Sequence, residues 1–310
     1  MIVCCGEALI DMIPIEGSKH APGFQPLEGG AIFNTAIGLG RLGIDVAMVS
    51  GISNDLFGQQ LVDALGQSKV KTHLLVRSNL PTTLAFVRLS NGNATYTFYD
   101  ENSAGRSFSL AAVPVLPKGT NCLYFGGISL ISEPAADVYC ALAEREASKR
   151  VIMLDPNIRP GFINNEKTYR ARITRMIAVA DIIKVSDEDL DWLVHGDADI
   201  AEKVIRLRQP ANKLVVVTRG SAACLAFGLR GLLVEVPVQK AEVADTVGAG
   251  DTFNSGFLAS LSEQGCLTKA DIAALQVKQV SKALTYGARV AAVTVSRAGA
   301  NPPWLAEMQC

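Results

Sequence analysis

From residue 44 onward, short apolar runs rich in β-branched residues alternate with longer stretches whose apolar positions recur at helical spacing. That rhythm marks parallel strands joined by crossover helices. It predicts strands at 2–10, 46–50, 122–126, 151–155, 182–185 and 214–218. Helices are expected at 34–42, 55–66, 134–148, 167–179, 187–194, 198–208, 250–263 and 269–290. One segment breaks the rhythm. Two strand-like runs at 84–89 and 94–99 flank Asn91-Gly92, a strong hairpin signal. A second β-like excursion covers 11–30, and 223–238 reads as a further hairpin. With no repeat, low-complexity tract or linker in view, the pattern predicts one α/β domain over 1–310. A small second sheet is expected from about 11–30 and 83–105.

Composition narrows the class. The 310 residues are 49% hydrophobic, enough for a sizeable core, and the mean hydropathy is +0.24. A formal charge of −1 gives no electrostatic reason to expect nucleic acid or an anionic membrane as partner. No window reaches the roughly 18 apolar residues of a membrane span. Glu7 and Asp11 stand where a signal peptide would be apolar. The cysteines at 4, 5, 122, 140, 224, 266 and 310 show no metal spacing and read as small core residues in a reducing compartment. The histidines at 20, 73 and 195 form no metal or triad motif. A soluble cytoplasmic protein is expected.

Residues 245–258 (DTVGAGDTFNSGFL) carry the chemistry. Small residues at Gly248, Ala249 and Gly250 let backbone N–H groups approach an anion, and the helix start beyond them aims partial positive charge at it. Asp251 would sit in the first helical turn, beside the anion. A carboxylate there repels a phosphate, which makes sense if it takes a proton from an alcohol attacking that phosphate. The plain alternative is an ordinary loop in which Asp251 stabilises a helix N-terminus.

The longer run resembles the C-terminal signature of the ribokinase-like (PfkB) carbohydrate kinase family at Asp245, Thr246, Gly248, Ala249, Gly250, Asp251, Ser255, Gly256, Phe257 and Leu258. The resemblance implies a three-layer α/β/α sandwich with a small β-sheet lid, and an ATP-dependent sugar kinase. In it Asp251 is the catalytic base and the amides of 248–250 form the anion hole. Residues 29–36 (GGAIFNTA) resemble the family's N-terminal signature, which places sugar hydroxyls at Gly29, Gly30 and Asn34; Asn34 reads equally as a helix N-cap. This copy departs from the pattern at Ile32 and Ser53.

Ligands of a doubly wound sheet bind at the carboxyl ends of its strands. Asp11, at the end of the first strand run, is a sugar contact or a solvated strand end. Residues 155–160 (DPNIRP) follow another strand, where Arg159 neutralises the transferring phosphoryl group, holds a sugar hydroxyl, or merely sits on a Pro-bounded turn. On the lid, Phe98, Asp100 and Asn102 are expected over the sugar. The resemblance adds that relatives acting on 2-keto-3-deoxygluconate carry arginine where Asp100 stands, so an acid there points to a neutral polyol.

On the nucleotide side, Lys184 and Ser186 end a strand, and Ser186 with Asp189 reads as a variant capping box. The family has Asn-x-x-Glu there, so Asp189 is expected to reach Mg²⁺ only through water. Thr218 and Gly220 resemble the family's nucleotide loop. Gly287 and Ala288 leave room for an adenine ring or pack helix on helix. The family resemblance also implies K⁺ beside Asp245. No Gly-x-x-x-x-Gly-Lys-Ser/Thr loop is present, which excludes a P-loop kinase. The similarity spans the whole chain and is strongest to bacterial fructokinases, so fructose is the expected sugar. Rivals are ribokinase, 2-keto-3-deoxygluconate kinase, nucleoside kinase, and a catalytically silent sensor on the same scaffold. A free lid face suggests a homodimer.

Overall fold

The computed structural model describes residues 1–15, 23–90, 93–208, 213–228 and 231–309. β1 (Ile2–Cys5) leads into β2 (Leu9–Ile15) and β3 (Gly23–Gly29), followed by α1 (Ala31–Arg41), β4 (Val46–Val49) and β5 (Gly51–Ser53). α2 (Leu56–Gln67) returns to β6 (Val76–Ser78), and then come β7 (Leu84–Ser90) and β8 (Asn93–Tyr99). β9 (Cys122–Gly126), α3 (Ala135–Glu146), β10 (Val151–Asp155), α4 (Glu166–Val179) and β11 (Ile182–Ser186) alternate as expected. After α5 (Asp187–Leu193) and α6 (Ile200–Leu207) come β12 (Leu214–Thr218), β13 (Ala223–Gly228) and β14 (Gly231–Pro237). α7 (Ala249–Glu263), α8 (Lys269–Ala273) and α9 (Val277–Val295) complete the helices.

The main sheet has the order β14-β13-β12-β11-β10-β9-β1-β4. It is parallel from β4 to β12, and β13 and β14 add an antiparallel edge. β1, β4, β9 and β10 are buried at every position, which requires helices on both faces. The period-2 alternation of strand side chains divides the core accordingly. Cys4, Met48, Tyr124 and Met153 pack with α1, α2, α7 and α9. Their neighbours Cys5, Val49, Phe125 and Leu154 pack with α3, α4, α5 and α6. A second sheet, β3-β2-β7-β8, stands apart from the first and matches the expected lid. β5 and β6 pair as a small two-stranded sheet the pattern did not predict. The Asn91-Gly92 turn, part of the 11–30 excursion and Cys310 lie outside the described residues.

Two expected elements are in fact divided. The strand expected at 2–10 breaks after Cys5, because the chain turns over the start of α1: the Glu7 carbonyl accepts from Phe33 N at 3.2 Å, and Gly6 lies against Ile32 with no room for a Cβ. The apolar run simply continues across the break into the lid. The helix expected at 269–290 becomes α8 and α9, since Gln276 starts a new helix with a capping box to Gln279. α1 begins three residues earlier than expected, behind Gly30.

α7 and α9 pack through glycines. A Cβ at Gly256 would lie 2.8 Å from Gly287 Cα and 3.0 Å from Tyr286 O, and one at Gly287 would lie 2.9 Å from Phe253 O. Ala288, beside them, is core. Gly287 and Ala288 thus serve the packing of α9 on α7. Gly256→Val should overpack this seam and destabilise the fold by about 1–3 kcal/mol. Urea unfolding measures it, and an unchanged midpoint would show that the helices part freely.

Candidate active site

α7 starts at Gly248, whose φ of 77° is left-handed, a conformation glycine takes without strain. A side chain there would also overlap Ala300. Thr252 N makes the first intrahelical bond, to Gly248 O at 2.9 Å. The amides of Gly250 and Asp251 precede it and so lack intrahelical acceptors. They border a cavity of about 270 Å³ lined also by Asp11, Gly30, Phe98, Arg159, Gly248 and Ala249. The donors and the small residues fit a nucleotide phosphate.

Asp251 is buried within this wall. Asn34 Nδ2 donates to its Oδ2 at 2.9 Å. Thr35 Oγ1 and Ser255 Oγ each donate to its backbone carbonyl at 3.0 Å. Burial, with the charges of Asp155 and Glu7, pushes its carboxyl up to about 7, against the pull of Asn34 and Lys184. A base that titrates near neutrality suits proton transfer at physiological pH. Beneath it, Lys184 Nζ donates to Asp155 Oδ2 at 3.0 Å, and Asn254 Nδ2 donates to the same oxygen at 2.7 Å. Burial pulls the Lys184 ammonium down, but Asp155, Asp189 and Asp251 carry it above the ordinary lysine value.

Several expected residues converge here, some of them from elements other than those foreseen. Asp11 does not end the first strand of the main sheet; it lies within β2 of the lid. A Cβ at Gly29 would overlap its carboxylate, and burial pushes that carboxyl up to about 6. Asn34 is no N-cap, since Gly30 holds that position. Phe98 packs edge-on against Phe162, centroids 4.7 Å apart. The Arg159 guanidinium donates to Ile158 O at 3.1 Å.

Asp100 and Asn102 are not brought to Asp251. Asp100 pairs with Arg106 at 3.2 Å and accepts from Ser132 Oγ at 2.8 Å. It lines a neighbouring cavity of about 820 Å³ that shares Tyr96, Phe98, Ile128 and Phe162 with the first. The Arg106 guanidinium offsets its charge, which weakens the repulsion of an acid sugar expected from the sequence. Asn102 is an exposed turn residue with φ 55°.

Ser186 and Asp189 form the capping box, and Asp189 also accepts from Ile158 N at 2.9 Å. Thr218 and Gly220 lie at the end of β12, on the same edge of the sheet as Lys184 and Ser186. Asp245 binds the amides of Val247 at 3.0 Å and Gly299 at 2.8 Å, joining the loop before α7 to the segment after α9. Sequence reasoning missed Glu7, Tyr96, Gly127 and Phe162 in the cavity wall. Only Glu7 left a signal: a lone acid after glycine inside an apolar run.

Residues 1–307 match the profile of the pfkB family carbohydrate kinases. The chain belongs to that family. A fructokinase of Rhizobium leguminosarum bv. trifolii is 50% identical over 276 residues, 89% of this chain and 84% of the relative. Probable fructokinase-7 of Arabidopsis thaliana is 32% identical over 311 residues, 97% of this chain and 89% of the relative. The crystal structure of the Xylella fastidiosa fructokinase with bound ATP superposes with a TM-score of 0.89 at 28% identity, covering 99% of this chain and 96% of that one. The fold is therefore the ribokinase-like α/β fold, and this pfkB kinase is an ATP-dependent sugar phosphotransferase. No described helix is long and apolar enough to cross a membrane.

The kinase should show kcat/KM rising with pH through about 7, as Asp251 loses its proton. Asn34→Ala removes a donor that favours the carboxylate, so the ascending limb should move to higher pH. A pH profile of both proteins decides; a limb at the same pH in each would mean that the limb does not report Asp251.

Proposed function

We propose that this kinase transfers the γ-phosphoryl group of ATP to D-fructose, giving fructose 6-phosphate and ADP. One juxtaposition carries the reading: the Asp251 carboxylate and the unpaired amides at the start of α7 border one cavity in a chain half identical to a bacterial fructokinase. The sugar occupies the space between Asp11 and Phe98 of the lid and Gly30 of α1, its attacking hydroxyl toward Asp251. Asp251 takes the hydroxyl proton as the oxygen attacks the phosphorus. The Gly250 and Asp251 amides and the dipole of α7 receive the negative charge of the transferring group. Because that transition state is loose, positioning and electrostatics contribute more than basicity. Mg²⁺ bound with the nucleotide would neutralise phosphate charge, and Asp189, whose carboxylate already accepts from Ile158 N and Ser186 N, would hold it through water. Lys184, Ser186, Thr218 and Gly220 form the nucleotide side.

ADP release should be fastest with fructose across a panel of fructose, ribose, 2-keto-3-deoxygluconate and adenosine. Preference for another of these would reassign the sugar, and no turnover with any would favour a silent sensor.

Asp251→Asn should lower kcat by roughly 10²–10⁴-fold while ATP binding stays nearly unchanged. Its stability separates this role from a helix-cap role. A carboxyl whose pKa is raised in the fold costs stability that is absent below its unfolded pKa and complete above about 7. The Asn variant should therefore melt higher than the parent at pH 8 and gain little at pH 4. A folded variant with normal kcat would sink the mechanism.

A further inference from the structure

Glu7 sits in the turn between β1 and β2. Its Oε1 accepts from Ala31 N at 3.0 Å, and its Oε2 accepts from Ser129 N at 3.2 Å. Ala31 follows Gly30 at the start of α1, and Ser129 lies in the turn after β9. Gly30 and Gly127 both border the 270 Å³ cavity, as Glu7 does. Both glycines are shaped around this one side chain. A Cβ at Gly30 would lie 3.1 Å from Glu7 Cγ, and one at Gly127 would overlap the carboxylate. Each has positive φ, 108° and 66°, so a side chain would also be strained there.

We propose that Glu7 is a positioning residue for the sugar: its carboxylate clamps the α1 start to the turn after β9 and so sets the width of the pocket that holds the acceptor. The proposal rests on the kinase reading of the cavity. A carboxylate suits the task because it accepts at both ends, whereas an amide presents a donor to one of the two N–H groups and pushes it away. The clamp lies on the sugar side and touches none of the groups at the ends of β11 and β12. Glu7 also contributes charge to the environment of Asp251, together with Asp155 on β10 and Lys184 on β11, while Asn34 on α1 donates to it. The buried hydroxyl of Tyr124 on β9 is in turn pushed up by burial and by the charges of Asp155 and Asp251.

Steady-state kinetics of E7Q and E7D with fructose and ATP test the proposal. E7Q should raise the fructose KM by roughly 10–100-fold, as expected when a wall is misplaced, and leave the ATP KM within about twofold. Loss of the negative charge should also move the ascending limb of kcat/KM to lower pH. E7D keeps the charge but is too short to span both amides, so its fructose KM should rise with the limb unmoved. Three results would overturn the proposal: a fructose KM within about twofold of the parent in both variants, equal rises in the fructose and ATP KM values, or a limb that shifts alike in both. If E7Q does not fold, E7D alone still reads the split between the two KM values. A parent enzyme that fails to turn over fructose would instead reject the function on which the proposal stands.

Discussion

The Lys184 ammonium, buried at the end of β11, is the charge around which this site is arranged. Asp155 stands one rung away on β10, and parallel pairing of Leu154 with Ile183 brings the two side by side. A buried carboxylate without its partner costs several kcal/mol, and a buried ammonium likewise. Matched to each other, they let a second acid, Asp251, be buried above them. Gly250 contributes by omission: a Cβ there would lie 3.4 Å from Lys184 Nζ, so the helix start can settle close to the ammonium. The cation thus lies close beneath the start of α7, held in place by Asp155.

Asp251 is also held mechanically. The single Ser255 Oγ hydrogen is shared between Thr35 O and Asp251 O, and Thr35 Oγ1 donates to Asp251 O. Gly38 makes this crossing of α1 and α7 possible, since any side chain there would overlap Ser255. These bonds tie the Asp251 backbone to α1, while Asn34 Nδ2 holds its carboxylate. Such preorganisation removes reorganisation cost at the moment of transfer.

Much of the fold was legible, because buried parallel strands read as continuous apolar runs and crossover helices carry their own period. What escaped notice followed from the same rule. The run through residues 2–10 stays apolar across the change from main sheet to lid, so periodicity gave no boundary, and Asp11 was assigned to the wrong sheet. The motif at 245–258 pointed to the start of α7 and to the buried Asp251 beside the cavity, since close backbone approach demands small residues in order. Asp100 misled because its partner Arg106 lies six residues on and pairs through a loop, and Asn34 misled because an N-cap and a side chain aimed at a distant carboxylate look alike in one dimension. Glu7 joins elements far apart in the chain, and such pairings are invisible without the fold.

Asp245 and Gly248 have a further consequence, for how far a change in one part of the chain reaches. The loop before α7 is fixed by the Gly299 amide, and Gly248 rests against Ala300. Arg41 of α1 in turn donates to Asn301 and Pro302. Residues 299–302 therefore tie the start of α7 to the last residue of α1, so a substitution there would be felt at a helix start about fifty residues away.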